Sequence, residues 1–327
     1  RENKHSKKLA FAVLAAAAAV GATVAPVSAA NPVTEANGFI TAAVGDQANQ
    51  TPAAHNAVNY GFVANNSATS IAVGQDNKIT SVTGSSSAYG NQNTVNGDQA
   101  NAFGDGNTVE GAYAQAFGDS NVINGTHAIG YGYKNTVGES TSNFRDRDYD
   151  NEPDDATLRP GDWKTNSVAI GSENTALGSS ALAVGNGSQA KMSQAIAIGH
   201  AATAERTWST AIGTRANASE VRAQAIGYEA AAAGYKANAI GSGAKATGAH
   251  TNAIGSSAIA SGDHAQAYGA GAQAEGVRAN AFGSDAHAKA NYAMAIGDHS
   301  VVTDANSVAI GYQSQSSPAT AVSVFLV

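Results

Sequence analysis

The sequence contains no cysteine, and only 13% of its 327 residues are charged. Without cysteine an exported chain has no disulfide staple, so its stability must come from stacking and association. Its 18 Lys and Arg against 25 Asp and Glu leave a net charge of −7, which provides no electrostatic footprint for nucleic acid. No Ser/His/Asp constellation, convergent His/Glu metal spacing or phosphate-binding loop stands out, so the sequence presents no catalytic centre and no cofactor site. Most of the 36 glycines are periodic punctuation, and G-x-G matches among them carry no meaning.

What the chain does have is a phrase that returns. From Ser167 to Gly311 it reads SVAIG, ALAVG, AIAIG, STAIG, AQAIG, ANAIG, TNAIG, AQAYG, ANAFG, AMAIG and SVAIG. The closing glycines run from Gly171 through Gly185 and Gly199 to Gly311 in ten successive steps of 14 residues. A fixed period is the signature of a repeat architecture. This one is too short for helical-pair repeats, and it is not a multiple of six, which argues against the hexapeptide helix of acyltransferases. Two short strands and two turns fit it.

The residue two before each glycine is Ala, from Ala169 to Ala309, and the residue just before it is bulky, as at Ile170, Val184, Tyr268 and Phe282. Strand side chains alternate between faces, so the Ala and the bulky residue point to opposite sides. The small side therefore faces something narrow. Five residues after the glycine stands Ala in nine of ten repeats, from Ala176 to Ala288, with mostly small residues two positions earlier. Alanine thus lines both walls, while Gln189, Lys191, Thr203, Glu205, Lys245, Thr247, Gln273 and Lys289 read as a solvent face. Second glycines at Gly178, Gly234, Gly248, Gly262 and Gly276 are expected where a tight turn needs positive φ.

The bulky residues form an outward stripe that a monomer should not expose. Burying each is worth roughly 1.5 to 3 kcal/mol, less the costs of association. The stripe predicts a homo-oligomer closed around Ile170, Val184, Ile198, Ile212, Ile226, Ile240, Ile254, Ile296 and Ile310. On the same strand face, three before the glycine, the chain is apolar at Val168, Leu182, Ile196, Met294 and Val308. In mid-array that position is Thr210, Gln224, Asn238, Asn252, Gln266 and Asn280. These amides are expected to stack in ladders between coils, the sharper alternative being an ion or water channel.

The SVAIG phrase, the 14-residue step and the alanine-lined coil resemble the head repeats of trimeric autotransporter adhesins, the YadA-like family of Gram-negative surface proteins. The likeness is strong over 167–311 and looser over about 70–130. It implies an all-β fold, a left-handed parallel β-roll of 14-residue coils assembled as a homotrimer. It also implies display at the outer membrane and attachment to host extracellular matrix or cell surfaces, or to other bacteria. Its neck, coiled-coil stalk and membrane β-barrel anchor would follow Val327, and any membrane contact would be through that anchor.

Along the chain, Lys4, Lys7 and Lys8 precede the apolar run Leu9 to Val20, with small residues up to Ala30, which predicts a cleaved signal peptide over 1–30. Residues 31–69 read as degenerate coils or a cap, which a strand stack needs at its open end. Over 70–138 the phrase returns as SIAVG, SSAYG, ANAFG, AQAFG and THAIG, closing at Gly74, Gly90, Gly104, Gly118 and Gly130, which predicts coils with uneven turns. Residues 139–166 break away as an acidic surface insertion, ESTSNFRDRDYDNEPDDATLRPGDWK at its heart, and 167–327 hold the regular repeats. Insertions on a scaffold commonly carry binding residues.

Candidate partner-binding residues are Arg145, Arg147, Tyr149 and Trp163 in the insertion and Trp208 in a turn. Asp146, Asp148 and Asp150 alternate as in a calcium loop, but Asn151 replaces its glycine and Thr157 its bidentate glutamate, so a solvated acidic loop is the plainer reading. His250 and His264 fall one period apart and are expected to stack in adjacent coils. The chain therefore reads as a non-enzymatic adhesin head acting by multivalent contact, with bacterial self-association as the alternative. A β-helix acyltransferase would need a six-residue period and a catalytic histidine between subunits. An ice-binding solenoid would need a threonine rank on a flat face.

Overall fold

Each 14-residue repeat makes one coil of two short strands, and like strands of successive coils pair in parallel. Thr210–Ile212 lies between Ile196–Ile198 and Gln224–Ile226, with Ala211 opposite Ala197 and Ala225. Asn217–Ala218 lies likewise between Thr203–Ala204 and Ala231–Ala232. The computed structural model describes residues 58–60, 63–65, 70–80, 85–138, 166–316 and 322–324. Within them two parallel sheets of 18 and 17 strands face each other, and there is no helix. The expected leader over 1–30, most of 31–69 and nearly all of the insertion lie outside the described residues.

The core is as narrow as the alternation predicts. In the coil opening at Ser209, the four inward residues Ser209, Ala211, Ala216 and Ala218 are all fully buried. A buried methyl is worth only on the order of 1 kcal/mol. Cohesion therefore depends on numbers and on backbone pairing, which continues through the turns: Arg215 N–H donates to the His200 carbonyl at 2.9 Å and Arg222 N–H to that of Thr207 at 3.1 Å. The repeat glycine is dictated by this stacking. Gly213 has φ +129°, and a Cβ there would lie 2.4 Å from the Gly227 carbonyl oxygen.

The midway glycines serve a different purpose from the one expected. Only Gly178 has positive φ, at +88°. Gly234, Gly248, Gly262 and Gly276 are required by close approach, since a Cβ on any of them would meet a carbonyl oxygen of the next coil, 1.9 Å away at Gly234 and 2.6 Å at Gly248. The left-handed residue falls two positions later, on Lys236, His250, His264 and Arg278.

The first coils use the same register with a larger core. Ile79, Val95, Val109, Ile123 and Val137 replace alanine on the second wall, all fully buried. Strand Ile129–Tyr133 corrects one reading of the phrase: Gly132 pairs with Gly118 and Gly171, while Gly130 takes the alanine position opposite Ala116 and Ala169. The steps from Gly90 to Gly132 are thus uniform, and the unevenness lies before Gly90: 16 residues separate Gly74 from its partner Gly90, and 13 separate Tyr60 from its partner Val73. Strand Val58–Tyr60 already belongs to the stack, paired with Ile71–Val73. At the other end Val322–Val324 pairs with Val308–Ile310, one 14-residue step further on.

Candidate functional site

Every coil presents four outward strips, two from strands and two from turns, and each strip becomes a column as the coils stack. On the first sheet the bulky residues form the expected apolar column. Val184, Ile198, Ile212, Ile226, Ile240, Ile254 and Ile296 are half-buried by their neighbours, whereas Ile170 and Ile310 are exposed. In the early coils the column becomes aromatic, with Tyr89, Phe103 and Phe117 stacked at centroid distances of 5.0 and 5.1 Å. Tyr268 and Phe282 repeat this at 5.2 Å. Stacked rings add about 0.5 to 1.5 kcal/mol per pair.

Beside that column the amides form a ladder over part of its length. Asn238 Nδ2 donates to Asn252 Oδ1 at 2.6 Å, and Asn252 Nδ2 to Gln266 Oε1 at 2.5 Å. Gln266 and Asn280 instead donate to the carbonyls of His264 and Arg278, two residues before each. The second sheet's outward positions are mostly polar, interrupted by Val122, Leu177, Ala231, Ile259 and Val301, with Lys191 and Glu205 paired at 3.2 Å across one coil step.

Both turns of a coil are β-turns whose third residue has positive φ, such as Arg215 and Arg222. The first-turn column carries Glu173, Gly187, Ala201, Arg215, Glu229, Gly243, Ser257, Gly271, Asp285, His299 and Gln313. Its charges are mainly acidic: Arg215 pairs with Glu229, and His299 lies 2.7 Å from Asp298 and 3.8 Å from Asp285. In an earlier coil Lys134 occupies this position, and hydrogen bonding to Tyr133 holds its ammonium above the ordinary lysine value.

The second-turn column is different in chemistry. It reads Ser180, Gln194, Trp208, Arg222, Lys236, His250, His264, Arg278, Tyr292 and Asn306. Trp208 is 37% exposed, and its indole N–H donates to Gln194 Oε1. The Arg222 guanidinium lies 4.7 Å over the Trp208 ring. Tyr235 meets His250 edge-on at 5.3 Å, and His250 and His264 stack at 5.0 Å with their planes 3° apart, as the shared register predicts. Arg278 lies 5.7 Å over the ring of Tyr292. Of this column, the sequence reading singled out Trp208 and the two histidines; the remaining members become neighbours only once the second-turn register is known.

Arg145, Arg147, Tyr149 and Trp163, with Asp146, Asp148 and Asp150, lie outside the described residues. Among the described residues no cluster of three or more His, Asp or Glu is placed to hold a metal ion.

A parallel β-solenoid with a narrow core, alanine-lined in the regular coils, one apolar outer column and three mostly polar ones is the class of protein this structure defines. A family model for the YadA head domain repeat matches residues 164–188, 190–216, 207–230, 274–300, 288–314 and 303–323. These segments match the repeat found in the head of YadA-like trimeric autotransporter adhesins. No curated protein matches the chain. The coils between Gly90 and Gly132 lie ahead of the matched segments and share their register.

Proposed function

We propose that this chain is the head of a bacterial surface adhesin: a left-handed homotrimeric roll, without enzymatic activity, displayed at the outer membrane of a Gram-negative cell. It attaches to host extracellular matrix or host cells by multivalent contact. The observation that carries this reading is the division of labour around the coil. The column from Ile170 to Ile310 is apolar and suited to meeting copies of itself, while the opposite sheet and both turns are mostly polar and suited to a partner. Because most of these eleven bulky residues, eight of them isoleucine, are already half-buried in one chain, each contributes less than the roughly 1.5 to 3 kcal/mol of full burial, and their number makes up the difference. Three copies then present each weak site three times, which raises avidity when more than one engages.

The test combines sedimentation of the purified chain with its binding to immobilised collagen, fibronectin, laminin and epithelial cells. A trimer that binds a matrix protein or the cells supports the reading. A monomer removes the trimer from it. Heads that bind one another and none of the surfaces replace host attachment with bacterial self-association.

A further inference from the structure

We propose that the second-turn edge between Trp208 and Tyr292 is a binding track for an anionic polysaccharide lying along the stacking axis. The chain carries a net charge of −7, yet this edge concentrates Arg222, Lys236 and Arg278 with two histidines between them. The first-turn edge is acidic by comparison. Coils about 4.8 Å apart spread the five basic side chains from Arg222 to Arg278 over roughly 19 Å, a few sugar rings of an extended chain. Aromatic groups bracket this run: Trp208 under Arg222 at one end and Tyr292 under Arg278 at the other. Guanidinium forks match sulfate or carboxylate oxygens, and the exposed rims of the Trp208 and Tyr292 rings add apolar surface beside the guanidinium groups stacked on them.

The backbone supplies an independent argument. Every residue of this column has positive φ, at a cost of roughly 1 kcal/mol for a side chain that glycine would avoid. The first-turn column relieves that cost with Gly187, Gly243 and Gly271, whereas the second-turn column from Ser180 to Asn306 contains no glycine. Large basic and aromatic side chains therefore occupy this edge in spite of the local backbone, and the fold itself does not call for them. Acidic groups in these turns are Glu220 and Asp263, with Glu205 and Glu275 one residue ahead of a turn; Glu205 is paired with Lys191 and Asp263 is engaged by the Ala249 N–H at 2.9 Å.

The inference rests on the adhesin reading only in that this edge must face outward in the assembled head. The purified chain is passed over immobilised heparin, chondroitin sulfate, neutral dextran and a single-stranded oligonucleotide, with its oligomeric state measured in parallel. Salt-sensitive binding to heparin or chondroitin sulfate is expected. Arg222→Ser with Arg278→Ser should weaken it roughly tenfold or more, about 1.4 kcal/mol, and Trp208→Ala should weaken it too. Arg215→Ser, on the other turn, should leave it unchanged. All variants should keep the parent's melting temperature and sedimentation. The proposal is overturned if neither sulfated glycan binds, if dextran or the oligonucleotide binds as well, or if Arg215→Ser is as damaging as the pair. Glycan binding by a head that ignores matrix proteins and cells would count against host attachment while leaving the track intact.

Discussion

The side-chain amide of Asn174 donates to Asn135 Oδ1 at 3.0 Å across 39 residues of chain. That contact repeats the one that Asn135 makes to Asn121 over a single 14-residue step, at 2.9 Å. The insertion therefore leaves and re-enters the roll without disturbing its register, and Gly132 pairs with Gly171 as if they were neighbours in sequence.

Deleting residues 139–163 restores a step of 14 and places Lys164, Thr165 and Asn166 in the second turn, with asparagine at the left-handed position it tolerates well. The shortened chain is expected to fold with the parent's β-sheet circular dichroism, and its melting temperature should match or slightly exceed the parent's because a long loop is closed. A loss of cooperative unfolding would show that the insertion helps to hold the two parts of the stack together. Matrix binding by the same variant decides whether partner contacts lie in the insertion or on the roll.

Asn121 makes the full set of bonds of the buried ladder, as Asn93, Asn107 and Asn135 also do. Its Nδ2 donates to Asn107 Oδ1 and to the carbonyls of Phe117 and Gly132, at 2.9, 3.3 and 2.9 Å, while its Oδ1 accepts from both nitrogens of Asn135. Asn121→Ala leaves those buried groups without partners, so a loss of about 2 to 4 kcal/mol is expected in urea unfolding. Asn121→Ser should cost less, because Ser188 ends the ladder naturally with its hydroxyl 2.6 Å from Asn174 Oδ1.

Ile123 and Gly130 are matched in size. A Cβ on Gly130 would fall 2.3 Å from Ile123 Cδ1, with the next nearest atom, Ile123 Cγ1, at 3.4 Å. Gly130→Ala should destabilise the chain by about 1 to 3 kcal/mol through overpacking. Ile123→Val removes the offending carbon, at its own cost of about 0.5 to 1.5 kcal/mol. In the double variant most of the Gly130→Ala penalty should vanish, a coupling that thermal or urea unfolding of the four proteins reads directly. Simple additivity would mean the wall yields by other means.

These cases show where the sequence was legible. The alternation of Ala169 with Ile170 was enough for the two faces and the narrow core, because a strand has only two faces and the 14-residue step never slips between Gly171 and Gly311. At Gly130 the phrase THAIG imitated the repeat two residues early; the overlapping IGYG was the true one, and only strand pairing separates them. The asparagine ladder was readable in principle, three residues after each of Gly74, Gly90, Gly104, Gly118, Gly132 and Gly171, but the eye follows the commoner alanine. The left-handed turns were hidden because Trp208, Arg222 and Lys236 give no sign of positive φ. For the same reason the second-turn edge was invisible as a unit: its members lie 14 residues apart and differ in type.

Ile240 offers the cleanest test of assembly. It projects from the outer face of the first sheet between Ile226 and Ile254, beside the amide ladder of Asn238 and Asn252. In a single chain its side chain is half-buried between its neighbours, so an aspartate there should cost an isolated roll on the order of 1 kcal/mol, too little to unfold it. In a trimer closed around this column, three carboxylates would be brought together away from water, where charge without a partner is costly. Replacing Ile226, Ile240 and Ile254 together by Asp removes at least about 4 kcal/mol of apolar contact. Sedimentation should then show trimer affinity falling roughly thousandfold while the β-sheet spectrum persists. Lys245→Asp, on the opposite sheet, should sediment as the parent does. If the triple variant remained a trimer, the apolar column could not be the surface through which the copies meet, and the polar sheet or a turn edge would have to take that role.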